Sequence, residues 1–248
     1  MRLNGVRVVF IICILMLPAA IWHNGYIIGI PVFLLFTIIV LGVVFIRMNL
    51  FVKSAHHGSR KEKNIAFTFD DGPHPQTPAI LEVLEKYQAK GTFFCIGQNI
   101  EKEPQIAQQI VQKGHVLANH TYSHHRFFDL YSSEKMQADI EQCNQIILKI
   151  TGIQNEYFRP PYGVTNPPLA KAIRRAGLKS IGWSLRTYDT SKDSAFAVKK
   201  KILRKIKNGD IVLLHDRTPN LPQLLNEILP ILQQKGFKFV TIKELLHD

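Results

Sequence analysis

Two aspartates stand side by side in Phe69-Asp70-Asp71-Gly72-Pro73, and two histidines stand four residues apart in His120-Thr121-Tyr122-Ser123-His124. One carboxylate and two imidazoles form an N/O donor set that leaves coordination positions open on a divalent ion, as hydrolytic metal chemistry requires. Zinc (Zn2+) suits such a set, and cobalt, nickel or iron fit it too. The spacing predicts both imidazoles on one face of a helical turn. Adjacent residues point different ways, so one aspartate can bind the ion while its neighbour faces the reacting water. Arg159-Pro160-Pro161-Tyr162-Gly163 reads as a stiff loop bearing a guanidinium, with the Tyr162 amide N–H available to an oxyanion. His215, closing the apolar run from Ile211, titrates near neutral pH and suits a general acid.

These groups need a scaffold that brings them together. Apolar runs predict strands at 64–69, 91–95, 115–119, 157–159, 180–184, 211–215 and 237–241. Amphipathic stretches between them predict helices at 78–87, 104–113, 133–151, 166–176, 195–207 and 221–234. The alternation predicts a parallel α/β architecture, either a barrel or an open sheet. Asp70-Asp71, His120, Arg159, Asp189 and His215 all fall at or just past predicted strand ends. In barrels of this class that rim gathers the catalytic groups.

The first fifty residues differ in kind. Two apolar runs, about residues 8–22 and 27–46, predict two transmembrane segments. The division expected is a membrane anchor over 1–50, a juxtamembrane linker over 51–61 and a catalytic domain over 62–248. Arg2 and Arg7 precede the first run and Arg47, Lys53 and Arg60 follow the second, while the connection between them has no Lys or Arg. The positive-inside rule then predicts a multi-pass protein of the cell membrane with its catalytic domain in the cytoplasm. A net charge of +12 points to anionic partners, and the basic stretch Lys199 to Lys207 is suited to anionic lipid headgroups. No nucleic-acid motif accompanies that charge, so nucleic acid is not expected as a partner. Cys13, Cys95 and Cys143 are too few and scattered for a disulfide framework and read as buried thiols.

From about residue 62 to 245 the chain resembles the polysaccharide deacetylases of the NodB-homology type, carbohydrate esterase family 4. The resemblance rests on Thr-Phe-Asp-Asp-Gly-Pro (68–73), His-Thr-x-Ser-His (120–124), Arg-Pro-Pro-Tyr-Gly (159–163) and Leu-x-His ending at His215. It implies a deformed (β/α) barrel and a metal-dependent hydrolase that removes an N-acetyl group from an amino sugar. On that resemblance Asp71, His120 and His124 hold the metal, Asp70 is the general base and His215 the general acid. Arg159 keeps Asp70 ionised, Tyr162 offers its N–H to the oxyanion, Leu213 lines the acyl pocket and Asp189 orients His215. Thr190 stands where the family often has tryptophan, which leaves one wall of the acyl pocket unassigned. The substrates implied are N-acetylglucosamine glycans or, at the membrane face, a lipid-linked N-acyl sugar that loses acetyl or formyl. A silent glycan-binding module is the competing expectation, against which the intact set of five ionisable residues argues.

Overall fold

A computed structural model describes residues 26–191 and 195–247. Its strands are β1 (Ser54–Ala55), β2 (Asn64–Gly72), β3 (Gly91–Cys95), β4 (Val116–Asn119), β5 (Tyr157–Phe158), β6 (Lys179–Ile181), β7 (Leu185–Arg186), β8 (Ile211–His215) and β9 (Lys238–Phe239). The helices are α1 (Tyr26–Val44), α2 (Thr77–Lys86), α3 (Gly97–Lys102), α4 (Pro104–Gln112), α5 (Ser133–Thr151), α6 (Pro167–Arg175), α7 (Ala195–Lys205), α8 (Leu221–Gln234) and α9 (Ile242–His247). The strands pair in parallel in the order β1-β6-β5-β4-β3-β2-β8-β7, and β9 joins the start of β2. The architecture is the expected α/β deformed barrel. Strands β1 and β7 were not anticipated, because two residues each are too short to leave a periodic signal.

The strands are apolar on both faces because helices cover one side and the barrel interior the other. On β2, Ile65, Phe67 and Phe69 join the outer core with Phe93, Leu84, Leu225 and Ile228. Between them, Ala66 faces inward to Phe94, Ala118, Ile211 and Leu213. The same inward row continues through Thr68 to Asp70, so the alternation that builds the core also aims a carboxylate at the upper end of the barrel. Cys95 and Cys143 are buried free thiols, and Cys13 lies outside the described residues.

The sheet order begins at β1 and ends at β7, and the seam between them is filled by the chain that leaves α1. Ile46 is buried in the interior cluster beside Trp183, and the Arg47 guanidinium donates to the Ser184 carbonyl at 2.7 Å. Residues 51–61, expected to be a linker, include β1 and bury Val52 and Ser54 against the domain. Of the two expected spans, the one at 8–22 lies outside the described residues. The other falls on α1, which has no charged residue and contains Pro31. Side chains are described from Gly29 onward, and among the described residues no helix is long and apolar enough to cross a membrane.

Candidate active site

The two aspartates end β2 in an irregular way. Against β3 the register runs Asp70↔Phe94 and then Gly72↔Cys95, so Asp71 is the extra residue of a bulge, with φ of 71°. In a regular strand Asp71 would point away from Asp70; the bulge turns it back. Both carboxylates therefore enter one site, as the expected division between ion and reacting water requires, and the bulge rather than simple alternation puts them there. Asp71 Oδ1 lies 3.5 Å from His120 Nε2 and 3.4 Å from His124 Nε2, and Asp70 Oδ2 lies 3.9 Å from His120 Nε2.

The predicted helical turn at His120–His124 is a loop. Thr121 and His124 have φ of 66° and 44°, which no helix contains. Side chains from elsewhere hold it in that shape. The Thr121 N–H donates to Asn119 Oδ1 at 2.7 Å, the Tyr122 N–H to Asp139 Oδ1 at 2.7 Å, and the Ser123 hydroxyl to Asp139 Oδ2 at 2.6 Å. Asp139, on α5, gave no sign of this role in the sequence. Backbone strain of this kind persists where surroundings over-determine it, and here Asp71, Thr121, His124 and Tyr162 (φ 69°) concentrate it around one point.

Asp71, His120 and His124 each offer one ligand atom, all within 4.8 Å of one another. His120 Nδ1 lies 2.7 Å from the Arg159 carbonyl, to which it must donate, so Nε2 turns its lone pair toward the other two donors. One carboxylate oxygen and two imidazole nitrogens so arranged fit a divalent cation. Burial works to raise the Asp71 carboxyl, but His120, His124 and His215 together hold it well below the ordinary carboxylate range. Its second oxygen, Oδ2, lies 3.2 Å from Nε of Arg217, an exposed residue that sequence reading missed.

Arg159 fills the barrel beneath this cluster and is fully buried. Its Nη1 donates to Asp70 Oδ1 at 2.7 Å and to Thr68 Oγ1 at 2.8 Å, its Nη2 to the Gly182 carbonyl at 2.8 Å, and its Nε to the Ile181 carbonyl at 3.2 Å. The guanidinium also lies over the Phe94 ring, 4.0 Å from its centroid. A buried cation is tolerated only with this degree of satisfaction.

His215 stands on the neighbouring strand, in register with Asp70. Its Nδ1 lies 3.0 Å from Asp189 Oδ1, while its backbone N–H donates to Asp189 Oδ2 at 2.8 Å. The Thr218 hydroxyl donates to the same Oδ2 at 2.6 Å. Burial works to lower the His215 pKa, but the hydrogen bond to Asp189 and the charges of Asp70, Asp189 and Asp71 raise it above its ordinary value. Asp189 keeps a lowered pKa against its own burial because His215, Thr218 and Thr187 bind the carboxylate. Thr190 next to it is exposed.

The Tyr162 ring meets His124 edge-on, 4.8 Å between centroids. Leu213 is buried two residues before His215, in the interior cluster that also holds Trp183. Trp183 lies so close to Gly163 that a Cβ there would come within 2.3 Å of it, and Gly163 also has φ of 70°. Only glycine fits that position. Every residue that the motifs singled out thus reaches one rim of the barrel.

Residues 57–181 match the family model described as polysaccharide deacetylase. The chain is 37% identical over 191 residues to a peptidoglycan-N-acetylglucosamine deacetylase of Bacillus cereus, across 75% of this chain and 89% of that protein. The solved structure of the Bc1960 peptidoglycan N-acetylglucosamine deacetylase matches with a TM-score of 0.74 at 31% identity, covering 78% of this chain and 92% of that one. A carbohydrate esterase family 4 pseudoenzyme from Bacillus anthracis has the same fold, with a TM-score of 0.73 at 26% identity over 78% of this chain and 68% of that one. Activity has to be read from side chains, since the fold is shared with a pseudoenzyme. On the family match and the extent of these identities, the chain belongs to the polysaccharide deacetylase family, carbohydrate esterase family 4, whose active members are metal-dependent amide hydrolases of N-acetylated sugars.

Proposed function

We propose that this protein hydrolyses the N-acetyl group of an N-acetylglucosamine-type glycan or oligosaccharide while anchored in the cell membrane by its N-terminal apolar segment. One observation carries the reading: Asp70 with its buried arginine and His215 with its aspartate stand about the same three-donor cluster. A divalent ion, most simply zinc, would be held by Asp71, His120 and His124, and would supply Lewis acidity toward the amide carbonyl and lower the pKa of water.

The residues then divide the proton work. Asp70, held through Oδ1 by the Arg159 guanidinium, takes a proton from the attacking water as the water oxygen bonds to the acyl carbon. The Tyr162 N–H stabilises the charge that develops on the carbonyl oxygen. His215, with Nδ1 donating to Asp189, presents Nε2 to the sugar nitrogen and delivers the proton that lets the C–N bond break. The products are acetate and a free amine. Leu213 lines the pocket for the methyl group, and Trp183 backs it in place of the missing tryptophan at Thr190. With both apolar runs, about 8–22 and 27–46, crossing the membrane as a pair, the positive residues on either side of the pair favour the cytoplasmic side for the domain.

The test combines acetate release from N-acetylglucosamine oligomers with the metal content of purified protein. Chelation abolishes turnover and added Zn2+ restores it. Asp70→Asn keeps the metal and slows turnover on the order of 10²–10⁴-fold, whereas Asp71→Asn loses the metal. Wild-type rates in metal-loaded Asp70→Asn protein would refute the assignment.

A further inference from the structure

The last turn of α1 is tied to the loop that carries Tyr162. The Thr165 N–H donates to the Val43 carbonyl at 3.0 Å, and its hydroxyl to the Gly42 carbonyl at 3.0 Å. Tyr162 is three residues earlier, a contour of about 10 Å of backbone at most. On the other side of Thr165, the Asn166 amide donates to the Asp129 carbonyl at 2.7 Å. That contact draws in the loop that follows His124. Phe128 of this loop is buried in one cluster with Val52, from the segment that leaves α1. The end of the apolar helix, the Tyr162 loop and the metal-ligand loop are therefore neighbours on one rim.

Large apolar side chains on this rim stand in solvent. Phe45, Met48 and Leu50 just after α1, and Phe127 and Leu130 beside the site, are all exposed, Leu130 by 76%. Cations stand over the aromatics of the same loop: Arg126 over the Phe127 ring at 4.4 Å and Lys135 over the Tyr131 ring at 3.7 Å. An apolar skirt interleaved with long basic side chains, continuous with an uncharged helix, has the chemistry of a lipid–water boundary rather than of open water.

We infer that this skirt seats in the headgroup layer of the bilayer that holds α1, so that the active-site mouth opens at the membrane surface and the substrate is a saccharide carried on a membrane lipid. The inference rests on the anchored-deacetylase reading; it adds a direction of approach, and with it a choice of the lipid-linked sugar over the free glycan. An acetamido group within the first few sugars of a lipid carrier lies within reach of Asp70 and His215. A polymer held away from the bilayer does not.

The full-length protein, reconstituted in vesicles of mixed neutral and anionic phospholipid, tests this. It is given a synthetic prenyl-diphosphate N-acetylglucosamine oligomer in the same vesicles or the free oligomer in solution, and acetate is measured. The wild type works at least about tenfold faster on the lipid-borne sugar at equal bulk concentration, since sharing one surface acts as an effective concentration. Phe127→Ser with Leu130→Ser removes most of that preference, leaves the free-oligomer rate within about twofold, since neither side chain touches the reacting groups, and keeps the wild-type melting temperature. Equal rates on the two substrates, or a double variant that slows both alike, would overturn the inference. So would an apolar face covered by a second copy, seen as a cross-linked dimer that the double variant dissolves. Protein that fails to float with the vesicles refutes the anchor, and absence of acetate from either substrate refutes the deacetylase. Those failures are distinct from a retained, active enzyme with no lipid preference.

Discussion

At the lower end of the barrel His115 precedes β4, and at the upper end His215 closes β8. Both are largely buried histidines at strand ends, and their surroundings pull them apart. His115 Nδ1 accepts the Gly91 N–H at 3.1 Å, its ring meets Phe93 edge-on, and Lys90 and Lys113 lie nearby. Burial first, and then the two lysines, push its pKa down to about 4. His215 has carboxylates on its side of the barrel, and its pKa is raised against the same burial. One end of the fold keeps an imidazole neutral as part of the core; the other keeps one ready to give up a proton. The residue type permits both outcomes, and the charges gathered around it choose.

The largest effect that would sharpen this contrast is expected from Arg159→Met. It leaves Asp70 buried without its cation, and breaking such a pair costs about 3–5 kcal/mol. Urea unfolding at pH 7 measures it; a loss under about 1 kcal/mol would mean that Asp70 escapes to water or takes up a proton cheaply.

Next in size is the pH response of the lower end. Above the ordinary histidine value both folded and unfolded His115 are neutral. As pH falls from about 6.5 toward the folded value of about 4, only the unfolded chain binds the proton, so stability declines and then levels off. The contribution reaches roughly 3 kcal/mol, at about 1.4 kcal/mol per pKa unit. His115→Asn, whose amide oxygen can take the place of Nδ1, should flatten that part of the stability–pH curve. An unchanged slope would assign the acid sensitivity to the carboxylates of the upper rim.

The smallest expected effect concerns Asp189. A general acid must be protonated, so turnover falls as pH rises through the raised His215 pKa. Asp189→Asn removes the charge and part of the orientation, moving that alkaline limb to lower pH and cutting kcat by about tenfold, a modest share of what a positioned acid contributes. A limb that stays in place would show that Asp189 holds the backbone of His215 and little else.

Much of this arrangement was readable in the residues. Helices α5 and α8 and strand β8 begin and end where their patterns do, because each buries one continuous stripe and stops at a cap or a charged turn. The motif residues lie at strand ends because a β/α alternation leaves its loops on the two rims. Other features had no local signal. Asp139 shapes the His120–His124 loop from seventeen or so residues away, Arg217 reaches Asp71 across the rim, and Thr165 ties α1 to the Tyr162 loop. Hydrogen bonds between groups so far apart in the chain leave no periodicity to read.

The types and order of the site residues, and so the kind of chemistry, were fixed by the amino-acid sequence, since donor atoms, ionisable groups and strand-end positions are properties of the residues and of local pattern. The backbone path that lets Asp70 and Asp71 share one site was not. Alternation along a strand sends neighbours to opposite faces, and only the bulge imposed by pairing with β3 brings the second carboxylate round to the histidines.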